Sequence, residues 1–299
     1  MNSSRRHRPS RFGRWVALWA LTIGVGAESR ASEPVRLTTD GTRKLSPVFL
    51  GDGDEVAFAT QERPNLVAIV RLRLSDGSRR REHPTNTSHQ FDPAFTRDGR
   101  LHAYAKSSTS PQMLLSIQNT RDRKEFYFRP RESRATARNP SFAPDGSRVV
   151  FSLSDIGGHQ IVSVDAKGQN LKALTASAGM NAWPSYAPDG RQIAFGSSRS
   201  GDFELYAMDA DGANVRRLTR SAGLDARPAW SPDGSRIAFT SNRDGNYEIY
   251  VMNKNGEDVR NLSAHASQDD YPTWHPDGRQ LLFVSDRDGG SDLYLMPVP

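Results

Sequence analysis

The stretch Pro228-Ala-Trp-Ser-Pro-Asp-Gly-Ser-Arg-Ile-Ala-Phe-Thr-Ser-Asn-Arg-Asp-Gly-Asn-Tyr-Glu-Ile-Tyr-Val-Met252 decides the fold. Short apolar runs alternate with Gly-centred turns, the pattern of strands and hairpins. Residues 228–231 read as one strand, and 231–234 as a type I turn with Pro and Gly where that turn favours them. Residues 236–241 read as a second strand, and 247–252 as a third beyond the 242–246 loop. A turn at 253–256 leads to a fourth strand, 259–263. The second strand is apolar at consecutive positions, as a strand buried on both faces requires.

The phrase recurs along the chain. Its prolines are Pro47, Pro93, Pro140, Pro184, Pro228 and Pro272, spaced by 46, 47, 44, 44 and 44 residues. That period is the length of a four-stranded propeller blade. The expected fold is therefore all-β, a six-bladed β-propeller of four-stranded antiparallel blades. Proline cannot donate to a ladder and belongs on an edge, so the Pro-bearing strand is placed innermost, facing a central channel. Phe49, Phe95, Phe142, Tyr186, Trp230 and Trp274 recur two residues after the Pro and read as inter-blade core. The last repeat has only 28 residues from Pro272 to Pro299 and lacks its fourth strand. Val35-Arg-Leu-Thr38 matches the fourth-strand phrases Leu171-Lys-Ala-Leu-Thr175 and Val215-Arg-Arg-Leu-Thr219. An N-terminal strand completing the last blade thus closes the ring and removes the spare sheet edge.

Residues 1–31 stand apart. Arg5, Arg6, Arg8, Arg11 and Arg14 precede an apolar run from Trp15 to Ala27, the layout of a secretory signal peptide cleaved after Ala27 or Ala31. Arg5-Arg6 leaves both the general and the twin-arginine export routes open. The run is 13 residues, short of the ~20 that span a bilayer. The expectation is a periplasmic or secreted chain with no integral membrane span after cleavage, and residues 32–299 as a single propeller domain. Six Arg and one Glu lie in 1–31, so the formal charge falls from +6 to +1 without them and a nucleic-acid partner loses its support. Residues 32–140 carry +6 and residues 141–299 carry −5, a basic and an acidic side. The absence of Cys excludes disulfides, thiolate metal sites and cysteine nucleophiles.

The phrase from Pro228 to Met252 resembles the repeat of the TolB-type propellers, closely in blades 4 to 6 and more weakly in blades 1 and 2, over about residues 35–299. The resemblance implies the propeller fold; TolB is a periplasmic protein whose propeller binds protein partners at the envelope, and those partners are not carried over to this chain. TolB itself carries an additional N-terminal α/β domain, for which about ten residues leave no room here; the chain looks like a stand-alone relative.

No HExxH, GxSxG, P-loop or dinucleotide fingerprint occurs, so neither a catalytic residue nor a cofactor is assigned. Up-and-down strand order places the inter-blade connections and the loops between second and third strands around one channel mouth, with the Pro-Asp-Gly turns at the other end. The residues just before the inner Pro vary: Ser46, Asp92, Asn139, Trp183, Arg227 and Tyr271. Variation on a repeated scaffold suggests a binding site, with Trp183, Arg227 and Tyr271 as exposed anchors. Arg199, Arg243 and Arg287 recur in loops, and Asn181, Asp225 and Asp269 recur three residues before the Pro. They read first as structural pairs between loops and second as partner contacts. The turns at Asp145, Asp189, Asp233 and Asp277 lack the ligand series of a calcium loop and read as turn chemistry. His89, His159 and His265 fall in mouth loops and are candidate metal ligands, the alternative being scattered surface histidines. The leading expectation is a non-catalytic scaffold that binds a protein or peptide at the mouth. The alternative is a carbohydrate-active enzyme of lyase or hydrolase type, or a sugar-binding protein, using the same face.

Overall fold

In the fifth repeat the turn chemistry acts as its residues dictate. Gly234, at φ 71°, takes a left-handed conformation that a Cβ would strain, and its N–H donates to Ser231 O at 2.9 Å. Asp233 accepts from the Ser231 hydroxyl (2.6 Å) and the Ser235 N–H (3.0 Å), which hold its pKa down to about 2. Four strands follow one another, Asp225–Trp230, Arg236–Ser241, Glu248–Asn253 and Arg260–Asn261, each antiparallel to the next. The first starts before its expected bound because Asp225 and Ala226 pair with Ser241 and Thr240 ahead of the proline. The fourth shrinks to two residues; Val259 before it is exposed at the outer rim.

The computed structural model describes residues 33–108 and 111–299, and the signal-peptide assignment lies outside them. The meander of the fifth repeat recurs in the others. Four sheets have four strands; the fifth has eight, being two meanders joined by one parallel pairing of Thr136 with Met113. The described residues thus fall into six four-stranded units. Their inner strands are Lys44–Leu50, Gln90–Phe95, Thr136–Phe142, Asn181–Tyr186, Asp225–Trp230 and Asp269–Trp274. Each touches the next, and the last touches the first.

Burial on both faces supplies the stabilisation. Phe58, Tyr104, Phe151, Phe195, Phe239 and Phe283 occupy one position in the six second strands and are all fully buried, each burial contributing about 1.5–3 kcal/mol. The aromatics after the inner Pro pack within or against the six core clusters, as expected. The Trp230 and Trp274 indoles donate to Ser185 O (3.2 Å) and Ala229 O (3.0 Å) on the preceding inner strand, tying blade to blade.

The seam closes as the sequence requires. Val35–Arg36 pairs antiparallel with Asp292–Pro297. Thr38 Oγ1 donates to Asp292 Oδ1 (2.6 Å) and accepts from Leu293 N (3.0 Å). Thr219 makes the same two bonds in blade 4, to Glu204 Oε2 (2.5 Å) and from Leu205 N (2.9 Å). One bond pattern therefore serves an outer strand that follows in sequence and one that arrives from the far end of the chain. Lys44, fully buried, adds a clasp: Nζ donates to Asp292 Oδ1 (2.9 Å), to Ser291 O (3.0 Å) and to Asp40. Among the described residues no helix is long and apolar enough to cross a membrane.

Candidate functional site

The two ends of the blades carry different loops. At one end, loops between second and third strands bond to inter-blade connections, as in Ser198 N to Met180 O (3.0 Å) and Asn242 N to Leu224 O (3.2 Å). At the other, the Pro-Asp-Gly ends meet the next turns, as in Lys254 N to Ser235 O (2.9 Å). The six inner strands line a cavity of about 300 Å³.

Each inner strand carries a bulge that spans its Pro and the residue before it. That preceding residue is left-handed in all six: Ser46 (φ 49°), Asp92 (52°), Asn139 (54°), Trp183 (53°), Arg227 (53°) and Tyr271 (58°). All six line the cavity. This corrects the expectation of exposed anchors in the connections. The residues lie inside the inner strands, Asp92 is buried, and the other five are half-buried, because the bulge directs them to the channel wall. A left-handed conformation costs a non-Gly residue about 1–2 kcal/mol, least for Asn and Asp. Trp, Arg and Tyr occupy it here.

Two charged pairs sit on this wall. Asp92 accepts from Arg138 Nε (2.6 Å), the Ser46 hydroxyl (2.9 Å) and the Asn139 N–H (3.1 Å). Burial pushes the Asp92 carboxyl up, but Arg138 and these donors outweigh it and hold the group below the ordinary carboxylate range. Arg227 NH1 meets Asp270 Oδ1 at 3.2 Å, and its guanidinium lies 5.1 Å from the Trp183 ring and 4.4 Å from the Tyr271 ring. Burial opposes the Arg227 charge; Asp270 and Tyr271 outweigh it, so its pKa is raised. Arg138 and Asp270 were not singled out from the sequence. The signal is their column, two residues before the Pro, where Leu45, Phe91, Ala182 and Ala226 stand in the other blades.

The recurring Arg residues lie elsewhere. Arg243 stacks over Phe239 and Tyr250, donates from Nε to Ser241 Oγ (2.9 Å) and reaches both Asp225 oxygens at 2.9 Å. Arg287 keeps the stack and the Ser contact (Ser285, 3.0 Å) but bonds one Asp269 oxygen, Oδ2 (2.7 Å), Oδ1 being buried without a partner, and Arg199 pairs with Ser197 (2.9 Å) and Asn181 (2.8 Å). These are the structural pairs expected, each joining its Arg to the start of the inner strand of the same blade, and Asn181, Asp225 and Asp269 are fully buried. Arg199 faces an amide where the others face a carboxylate, and burial lowers its pKa.

His89, His159 and His265 do not assemble. His89 Nδ1 accepts from Val67 N (3.1 Å) on the third strand of the preceding blade, while His159 Nε2 meets Ser154 Oγ (3.0 Å) and His265 Nδ1 accepts from Ser267 N (3.1 Å) within their own hairpin or loop. Among the described residues the group with metal-ligand spacing is Glu82, His83 and His102. It does not suit an ion. Glu82 is taken up by Arg71, and both His83 nitrogens are engaged, by Gln118 (3.2 Å) and Gln90 (2.9 Å). The two imidazoles stack with planes 7° apart at 5.3 Å, so their in-plane lone pairs do not converge on one point. Nor is His102 a surface histidine. It is fully buried against Phe95 (4.1 Å), neither ring nitrogen has a hydrogen-bond partner, and burial holds its pKa well below the ordinary value.

Four-stranded meanders around a lined channel define a β-propeller. The family model for the TolB beta propeller domain matches residues 71–227 and 219–299, and the chain belongs to that family. Solved structures similar to it include a TolB from Agrobacterium tumefaciens, 22% identical over 86% of this chain and 91% of that one, with a TM-score of 0.68. A TolB from Acinetobacter baumannii is also 22% identical, with a TM-score of 0.68; the match covers 83% of this chain and 65% of that one. An oligogalacturonate lyase from Vibrio parahaemolyticus is 15% identical over 92% of this chain and 96% of that one, with a TM-score of 0.60. At these identities the structures share the fold. No curated sequence matches the chain.

Proposed function

We propose that this protein is an exported, non-catalytic scaffold whose channel binds a linear segment of a protein partner in the cell envelope. The observation that carries the reading is the channel wall. One strained backbone conformation recurs six times, yet it holds six different side chains, three of them large. Asn would fit that conformation at lower cost, so Trp183, Arg227 and Tyr271 are retained for what their side chains contact. Membership of the TolB propeller family supports a protein partner. A lyase reading, prompted by the similar oligogalacturonate lyase structures, one of them in complex with manganese, finds no suitable metal-ligand group among the described residues.

The test is affinity capture from envelope extract with wild type and with the triple variant Trp183→Asn, Arg227→Asn, Tyr271→Asn, which puts the blade 3 residue at three further blades. A protein held by the wild type and released by the variant is the expected result. Equal capture by both, or capture of none, contradicts the reading.

A further inference from the structure

The two charged pairs on the channel wall differ in what each leaves unused. The Asp92 carboxylate is fully engaged: Arg138 donates from Nε (2.6 Å) and NH2 (3.3 Å), and Ser46 and the Asn139 N–H complete its set. Arg227 is not. A guanidinium offers five N–H donors in a rigid fork. The carboxylate contact of Arg227 is Asp270 Oδ1 at 3.2 Å, and its Nε is buried with no hydrogen-bond partner. That one oxygen is shared, since Asp270 Oδ1 also accepts from Thr240 Oγ1 (2.9 Å) and the Tyr271 N–H (2.7 Å). Tyr271 is a second side-chain hydrogen-bonding neighbour of the guanidinium, so the fork keeps donors that neither neighbour uses, and the carboxylate oxygen it meets is over-subscribed.

The rings beside it fix the plane of that fork. Trp183 and Tyr271 hold the guanidinium, so much of the ordering that a flexible Arg would need on binding is already done. Partial burial strengthens a charge-assisted bond formed there. The Trp183 ring meets Arg227 and also Phe203 at 5.2 Å, and its edge lies 2.9 Å from where a Cβ on Gly196 would stand, so it is not an open platform for a sugar ring.

We propose that Arg227 recognises a carboxylate, the Asp or Glu side chain of the segment bound in the channel, and that Asp270 is its internal competitor in the free protein. The proposal rests on the peptide-binding reading. An incoming carboxylate replaces a single 3.2 Å contact with a two-point one, while Asp270 keeps its bonds from Thr240 and Tyr271.

The probe is a random heptapeptide library selected on the purified protein. Wild type is expected to enrich peptides with Asp or Glu at one position, and Arg227→Gln to lose that enrichment while still selecting peptides. Replacing the acid by its amide in one selected peptide is expected to weaken binding to wild type about ten-fold, and to leave binding to Arg227→Gln nearly unchanged. Asp270→Asn keeps the Oδ1 acceptor, removes the competing charge and is expected to tighten the acidic peptide several-fold; this arm decides if Arg227→Gln fails to fold. Selected peptides without acids, or acid enrichment that survives Arg227→Gln, overturn the carboxylate claim. If those peptides are still released by the triple Asn variant, the peptide reading stands. A selection that returns no channel-dependent peptide, or Arg227-dependent binding of oligogalacturonate in its place, overturns both.

Discussion

Blades 4 to 6 and blades 1 and 2 meet the same burial requirement with different residues. In blades 4 to 6 one set recurs: an Arg stacked on Phe and Tyr, bonded to Ser and reaching a buried Asp or Asn. Blades 1 and 2 use contacts that occur once each, such as Arg71 on Glu82, Tyr104 Oη donating to Glu125 (2.7 Å) and His102 between Phe95 and His83. Repetition identifies what a blade needs in order to stand. The channel adds a third pattern, an invariant backbone carrying variable side chains, and on the proposed function that combination separates recognition from support.

If support lies in the repeated contacts, their loss is costly. Deleting residues 32–44 removes the outer strand of blade 6 together with the Lys44 clasp, and the largest fall in unfolding midpoint is expected there. Lys44→Met alone leaves Asp292 paired with Arg36 and bonded to Thr38, so a smaller loss of about 1–3 kcal/mol is expected by urea titration. An unchanged midpoint for the deletion would refute closure by the N-terminal strand.

Asp225→Ala and Asp269→Ala strip equivalent clamps, and each is expected to cost about 2 kcal/mol, leaving a half-buried Arg short of its acceptor. Asp225, with both oxygens engaged, is expected to cost the more of the two, and no cost at either site would show that the clamps are not structural. Blade 4 keeps an amide at this position because Asn181 Nδ2 donates to His159 O (3.1 Å) and Gln160 Oε1 (3.1 Å); Asn181→Asp removes both donors in a buried position, and the midpoint is expected to fall although Arg199 gains a carboxylate.

Blade 2 has its own signature in acid. His102 is neutral when folded, because burial, the nearby His83 and the cations Arg71 and Arg123 all lower its pKa, and Glu82 beside His83 is committed to Arg71. The unfolded chain takes up the proton below about pH 6.5, and the folded chain does not. Stability from this group is therefore present above that pH and declines as pH falls below it. His102→Phe keeps the stack with Phe95, and its midpoint is expected to depend less on pH between 7 and 5 than that of wild type. Identical pH profiles would contradict the assignment.

Most of the fold was legible because every blade buries the same faces. Six phrases at a fixed period give the strand count, and Val35-Arg-Leu-Thr38 could be recognised as a displaced outer strand from its partners at Leu171 and Val215. The site was legible only in part. A residue before proline is ordinarily extended, so a left-handed bulge at Arg227-Pro228 could not be anticipated, and with it went the inward course of the side chain. Arg138 and Asp270 stand in a column that holds apolar residues in the other four blades, a departure visible only once the columns are aligned. His102 stands nine residues after its Pro, in a column where Val56, Val149, Ile193, Ile237 and Leu281 are all buried, so its burial too becomes visible only once the columns are aligned.

The separation of support from recognition is tested most directly by measuring the unfolding midpoint and envelope capture on the same Trp183→Asn, Arg227→Asn, Tyr271→Asn variant, beside Asp225→Ala. The predicted result is a midpoint close to wild type with capture abolished for the channel variant, and a lowered midpoint with capture retained by the folded fraction for Asp225→Ala. A channel variant that loses as much stability as Asp225→Ala while still capturing the partner would contradict it.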